Sequence, residues 1–190
     1  MRIITGEYKG RRIDSVKGVD IRYTSDRVKE SLFSIIASFI PDSRFADFCS
    51  GSGNIGIEAI SRGAESVTFV DINPICIRTL SENLKKCGVN ESRFRIMKMS
   101  ASVAIGYLQR HDAQFDIIFL DPPYNIGLAE RLIIEISKSN IFADNGLIIA
   151  EHDIKEAVPL KSEPLEMTRQ ERYGTTLLSF YKAVSNFFRE

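Results

Sequence analysis

Beyond its first forty residues the chain alternates short apolar runs with longer segments whose apolar positions recur every three or four residues. RFADFC (44–49), SVTFVD (66–71), RFRIMKM (93–99), FDIIFLD (115–121) and GLIIAEH (146–152) read as strands. Between them, IGIEAISRG reads as a helix ending at Gly63, and NPICIRTLSENLKKCG opens with Asn73 as cap and Pro74 at the first helical position. Helical patterns over 101–111 and 127–139 continue the alternation. Strands separated by helical segments predict βαβ units and a mostly parallel sheet covered on both faces. LEMTRQERYGTTLLSFYKA holds two extended stretches around Tyr173-Gly174 and predicts a hairpin added to the sheet edge. The expected fold is therefore α/β, a doubly wound Rossmann-like sheet of seven strands whose last hairpin is antiparallel. Ahead of it, TSDRVKESLFSIIASFI (24–40) carries apolar residues at 28, 32, 35, 36 and 39, with Ser25 or Asp26 as cap, and predicts an amphipathic helix.

Charge adds one local feature. Lysines plus arginines and aspartates plus glutamates both number 25, so the whole-molecule field selects no partner. The opening MRIITGEYKGRR sets Arg2, Lys9, Arg11 and Arg12 against Glu7, a basic patch compatible with nucleic acid or with a solvated tail. Cys49, Cys76 and Cys87 form no CxxC pair and read as reduced thiols. No signal peptide and no membrane-length apolar run is visible, so a cytoplasmic protein is expected. His111 and His152 have no partner at metal-ligand spacing, and no metal is expected. The Phe187-Phe188 pair reads as edge packing.

DFCSGSGNIGIEAI places Gly51, Gly53 and Gly56 between a strand and a helix, with Asp71 twenty residues past Gly51. Such glycines let a ligand approach the backbone, and an acid at the end of the next strand can accept from ribose hydroxyls. A tight turn with a capping aspartate is the bland alternative. A dinucleotide is the first candidate ligand, but Asp47, four residues before Gly51, would repel a pyrophosphate. A carboxylate here suits a cationic cofactor, and S-adenosylmethionine carries a sulfonium and an ammonium but no phosphate.

FDIIFLDPPYNIG ends a buried strand on Asp121, Pro122, Pro123 and Tyr124. A Pro-Pro stop with a capping acid would explain part of this. The four residues together make a pocket for a planar amine. The Asp121 carboxylate and the Pro122 carbonyl can bond both amine hydrogens, prolines fix φ, and the Tyr124 ring can stack on a base. Glu151 and Asp153 lie near the end of the next strand, within possible reach.

With these motifs placed, the chain resembles the class I S-adenosylmethionine-dependent methyltransferases that modify amino groups, and more narrowly the bacterial 16S ribosomal RNA guanine-N2 methyltransferases. MRIITGEYKGRRI, TSDRVKESLFSII, DFCSGSGNIGIEAISRGA, DPPY and YGTTLLSFY carry the resemblance over nearly the whole chain. It implies an enzyme transferring a methyl group from S-adenosylmethionine to guanine N2 in 16S rRNA, within the small ribosomal subunit or an assembly intermediate, and the single-domain layout suggests a monomer. It implies an RNA-binding extension and helix over 1–40 and a methyltransferase domain over 41–190. Asp47, Ser50, Gly51, Gly53 and Asn54 would line the methionine end of the cofactor, and Asp71 with Ile72 the ribose. Ser100 or Ala101 would meet the adenine through the backbone. Asp121, Pro122, Pro123 and Tyr124 would hold the target base, with Asp121 also facing the cofactor. Arg2, Lys9, Arg11, Arg12, Thr24, Asp26 and Arg27 would bind or organise RNA. Cys49 and Ser50 replace the family's usual Phe-Ala, Asn54 replaces a small apolar residue, and Tyr23 stands where proline is common. An adenine-N6 methyltransferase of DNA or RNA uses the same DPPY chemistry and is the alternative, though a DNA enzyme commonly carries a further recognition domain. A protein glutamine methyltransferase usually has Asn in place of Asp121, and a non-catalytic RNA-binding module needs neither Asp71 nor Asp121.

Overall fold

The computed structural model describes residues 1–18 and 24–184; Tyr23, Phe187 and Phe188 lie outside the described residues. Five parallel strands form the centre of one sheet: β1 (Arg44–Phe48), β2 (Ser66–Asp71), β3 (Phe94–Lys98), β4 (Phe115–Leu120) and β5 (Phe142–Asp153). β6 (Lys161–Ser162), β7 (Leu165–Tyr173) and β8 (Thr176–Ala183) add antiparallel, giving the order β3-β2-β1-β4-β5-β8-β7-β6. The sheet thus has eight strands, against the seven read from sequence. The additional one is the two-residue β6, which pairs across the Glu163-Pro164 turn with Leu165 and Glu166. Two polar residues flanked by loop carry no period-two signal.

Alternate side chains of each central strand enter two separate cores, which is why these strands read as unbroken apolar runs. Phe45, Ile117, Phe119 and Ile149 face one layer; Ala46, Phe48, Ile118, Leu120 and Ile148 face the other. α1 (Asp26–Ile35), α2 (Asn54–Ser61) and α3 (Pro74–Lys86) cover the first face. α4 (Ala101–Arg110) and α5 (Leu128–Ser137) cover the second. Ile3, Tyr8 and Ile13 join the first core, so the N-terminal segment packs on the sheet's helical layer rather than standing apart from it.

The helix expected over 24–40 is shorter. Ser25 caps α1, its hydroxyl accepting from the Val28 amide at 3.3 Å, and a 3-10 turn (Ala37–Phe39) follows the helix. β5 begins four residues earlier than GLIIAEH, at Phe142 opposite Phe115. Asp144-Asn145-Gly146 forms an irregularity inside the strand, where a Cβ on Gly146 would lie 2.8 Å from the Ala143 carbonyl oxygen. Among the described residues no helix is long and apolar enough to cross a membrane.

Candidate active site

The strand order reverses between β1 and β4, and ligands of open α/β sheets bind in the crevice beyond the strand ends at such a point. Three acids arrive there: Asp47 on β1, Asp71 at the last position of β2 and Asp121 immediately after β4. Between them opens a cleft of about 670 Å³.

The loop after β1 forms its floor. Cys49 and Gly51 both take positive φ, 63° and 53°, and the Ser50 amide donates to the Val70 carbonyl at 3.1 Å. Gly51 donates its amide to Asp71 Oδ2 at 2.9 Å, and Asn73 donates to Asp71 Oδ1 at 2.8 Å, fixing that carboxylate at the cleft wall. Burial raises the Asp71 acid against these bonds. Gly53 does not line the cleft. It caps α2 in the left-handed region, and a Cβ there would lie 2.4 Å from Leu80 Cδ1. Its place in the expected ligand set is thus a matter of helix entry and packing on α3.

Asp47 is fully buried and accepts from the Gly56 amide at 2.9 Å. Burial pushes its pKa up to about 7, the Asp71 charge adds to the rise, and the Gly56 amide opposes it. Burial, then Asp121, Asp71 and Asp47, push the Cys49 thiol far upward, so it is no nucleophile. The Ser50 hydroxyl and the Asn54 amide nitrogen are buried beside the cleft and have no hydrogen-bond partner among the described residues. A buried polar atom left unpaired is unfavourable, so these two are matched to a polar ligand group. Ile72, Ser100 and Ala101 line the far end, as Met99 does. Ser100 also caps α4 through Val103. An acid poised to ionise and buried polar atoms beside the cleft fit the amino-acid end of S-adenosylmethionine.

The opposite wall is the Asp121 loop. The Asp121 amide donates to the Phe48 carbonyl at 3.2 Å, tying the loop to β1. The Tyr124 hydroxyl donates to Glu151 Oε1 at 2.9 Å, and the Thr24 hydroxyl reaches Glu151 Oε2 at 2.9 Å and Asp121 Oδ2 at 3.4 Å. Burial, then the Glu151 and Asp121 charges, raise the Tyr124 phenol well above its ordinary value, so it remains a neutral donor. Glu151, at the end of β5 and 3% exposed, thereby sets both Thr24 and Tyr124. Asp121, Pro122, Pro123 and Tyr124 all line the cleft.

Residues 1–182 match the protein family described as conserved hypothetical protein 95. The chain belongs to this family. It is 37% identical to YlbH of Bacillus subtilis over 182 residues, covering 96% of this chain and 98% of that one. It is 30% identical over 184 residues to ribosomal RNA small subunit methyltransferase D of Haemophilus influenzae, covering 96% and 93%. The solved structure of yhhF from Escherichia coli superposes with a TM-score of 0.83 at 29% identity, covering 96% of this chain and 97% of that one. The family resemblance and the methyltransferase fold read from sequence both hold.

Other elements of this family member were not legible. Lys29 on α1 is fully buried; its ammonium donates to the Arg2 carbonyl at 2.7 Å and to Asn54 Oδ1 at 2.8 Å, and lies 3.3 Å from Glu58 Oε2. Glu58 on α2 also accepts from the amides of Ile4 at 2.8 Å and Thr5 at 3.1 Å, and from Arg62 Nε at 2.7 Å. Lys29 falls among the buried positions 28, 32 and 33 of α1 and the buried Ile36 that caps its end, and that placement on the apolar stripe was the available signal. Of the residues expected against RNA, Thr24 lines the cleft with Tyr124. Arg2, Lys9, Arg11, Arg12, Asp26 and Arg27 are exposed outside it. Arg11 is tethered, its guanidinium donating to the Cys87 carbonyl and lying 5.0 Å over the Tyr8 ring.

Proposed function

We propose that this chain transfers a methyl group from S-adenosylmethionine to the exocyclic N2 of a guanine in 16S rRNA, as a monomer acting on the small subunit or an assembly intermediate. The carrying observation is the Asp121 loop facing a cleft whose other wall suits a cation, with Thr24 and Tyr124 both tied to Glu151. The name borne by the Haemophilus influenzae relative supports the rRNA substrate.

S-adenosylmethionine, when bound, supplies an electrophilic methyl on its sulfonium. Asp121 and the Pro122 carbonyl accept the two N2 hydrogens, which turns the nitrogen lone pair toward that methyl. Tyr124 sets the plane of the base, its ring held through Glu151. Asp121 would take up the surplus N2 proton as the methyl group is transferred and pass it on to solvent. Alignment of two reactants supplies much of the acceleration, effective molarities reaching about 10⁵ M or more. A stacked guanine cannot present N2 to this cleft, so the base is extruded at a cost of a few kcal/mol. Arg2, Lys9, Arg12, Asp26 and Arg27 are the surface residues placed to meet the surrounding RNA. Recognition favours an unpaired nucleotide held by the shape of the particle.

The deciding assay incubates the protein with methyl-labelled S-adenosylmethionine and small subunits from a strain lacking this modification, then digests the RNA to nucleosides. Label in N2-methylguanosine is expected. Label in N6-methyladenosine overturns the guanine assignment, and label in neither overturns the reaction.

Asp47 gives a pH prediction. The cofactor's ammonium requires the ionised carboxylate, whereas in the free protein Asp47 takes up its proton at about pH 7. Below that pH, binding must expel the proton, so affinity for S-adenosylhomocysteine falls about tenfold per pH unit. Calorimetry at about pH 8 and about pH 6 measures this; equal affinities at both would remove Asp47 from the ammonium.

A further inference from the structure

One ammonium joins the N-terminal segment, α1 and the cofactor loop. The three protons of Lys29 meet three acceptors: the Arg2 carbonyl, Asn54 Oδ1 and Glu58 Oε2. An ammonium has no lone pair and can only donate. It therefore fixes which way round the Asn54 amide sits: the oxygen faces Lys29, and the NH2 group is turned away. That NH2 group is buried with no partner among the described residues, on a residue that is 7% exposed and lines the cleft.

We infer that Lys29 is a positioning residue that aims the Asn54 amide as a donor at the carboxylate of the cofactor's amino-acid end. This rests on the reading of the cleft as a site for S-adenosylmethionine. Asp47 supplies the complementary half. It is fully buried and held by the Gly56 amide, and it faces the same cleft as an acceptor for the ammonium. A donor and an acid side by side match a zwitterion, and neither alone would.

Glu58 does not need Lys29 to fill its acceptor sites, since Ile4, Thr5 and Arg62 already donate to it. Asn54 does need Lys29, the group among the described residues whose bond fixes its oxygen.

The test compares two ligands that share a nucleoside and thioether: S-adenosylhomocysteine, which has the amino-acid end, and methylthioadenosine, which lacks it. Asn54→Asp keeps an oxygen for Lys29 but replaces the donor by an anion. It is expected to weaken S-adenosylhomocysteine by about 30-fold or more, leave methylthioadenosine within about twofold, and melt no lower than wild type. Lys29→Met is expected to cost S-adenosylhomocysteine about tenfold, and adding it to Asn54→Ala is expected to cost nothing further, the mark of two residues acting through one contact. Unchanged S-adenosylhomocysteine affinity in Asn54→Asp, or equal losses for both ligands, overturns the inference while the cofactor reading stands. A wild-type protein that binds neither ligand overturns both.

Discussion

Asp121→Ala is expected to lower kcat about 10³-fold or more while S-adenosylhomocysteine binds within about fivefold of wild type. The guanine N2 lone pair is delocalised into the ring, and the carboxylate is the group that localises it and receives the proton. Pro122 supplies a second acceptor through its carbonyl, so removing Asp121 leaves one of the two contacts and no base. The loop itself should hold, because its tether to β1 is the Asp121 amide donating to Phe48, a backbone bond that alanine keeps. S-adenosylhomocysteine is the suitable binding probe: it lacks the sulfonium charge, so loss of a nearby carboxylate does not weaken it electrostatically. Single-turnover methyl transfer at saturating S-adenosylmethionine separates chemistry from binding. Turnover near wild type in this variant would sink the proposed mechanism. Asp121→Asn keeps an acceptor without a base, so its rate measures how much of the loss belongs to proton transfer.

The reach of sequence reasoning here follows the physics of each element. The central strands were legible because both faces are buried, which leaves runs such as FDIIFL without polar interruption. Asp47, Asp71 and Asp121 were legible because a carboxylate at the end of such a run conflicts with burial unless a site uses it. β6 was not legible, since two residues show no period, and neither was the start of β5, where Asp144-Asn145-Gly146 imitates a turn. Gly53 obeyed the cofactor motif but serves helix entry against Leu80, a distinction that glycine spacing cannot make. Glu151 stood within possible reach on the sequence, and only three dimensions show that it holds Thr24 and Tyr124 together. Lys29 sits on the apolar stripe of α1, but the partners that Glu58 holds are as many as 54 positions away in the chain. Long-range polar pairing leaves no periodic mark.

That buried pair carries the largest stability effect expected. Glu58→Gln is predicted to destabilise the fold by about 3–5 kcal/mol, because it removes one charge of a desolvated pair and leaves the other. Lys29 remains fully buried, with the Arg62 guanidinium nearby and only the more weakly acting Asp26 charge to compensate it. In a domain of this size each kcal/mol moves the melting temperature by about 2–4 °C, so a drop of about 6–20 °C is the observable. Lys29→Met should cost less, since Glu58 keeps Arg62 and the Ile4 and Thr5 amides. The double variant should recover part of the Glu58→Gln loss, because the orphaned ammonium is gone. That order of melting temperatures distinguishes a buried charge from a cavity, for which the two losses would add. Hydrogen exchange provides a local reading: the Ile4 and Thr5 amides lose their charged acceptor in Glu58→Gln and should exchange faster than the β1 and β4 amides. Wild-type melting together with unchanged protection at Ile4 and Thr5 would mean that Glu58 does not anchor the N-terminal segment. The basic residues of that segment would then owe their place over α2 to Ile3, Tyr8 and Ile13 and to the bonds that Ser61 makes with Thr5, Glu7 and Tyr8.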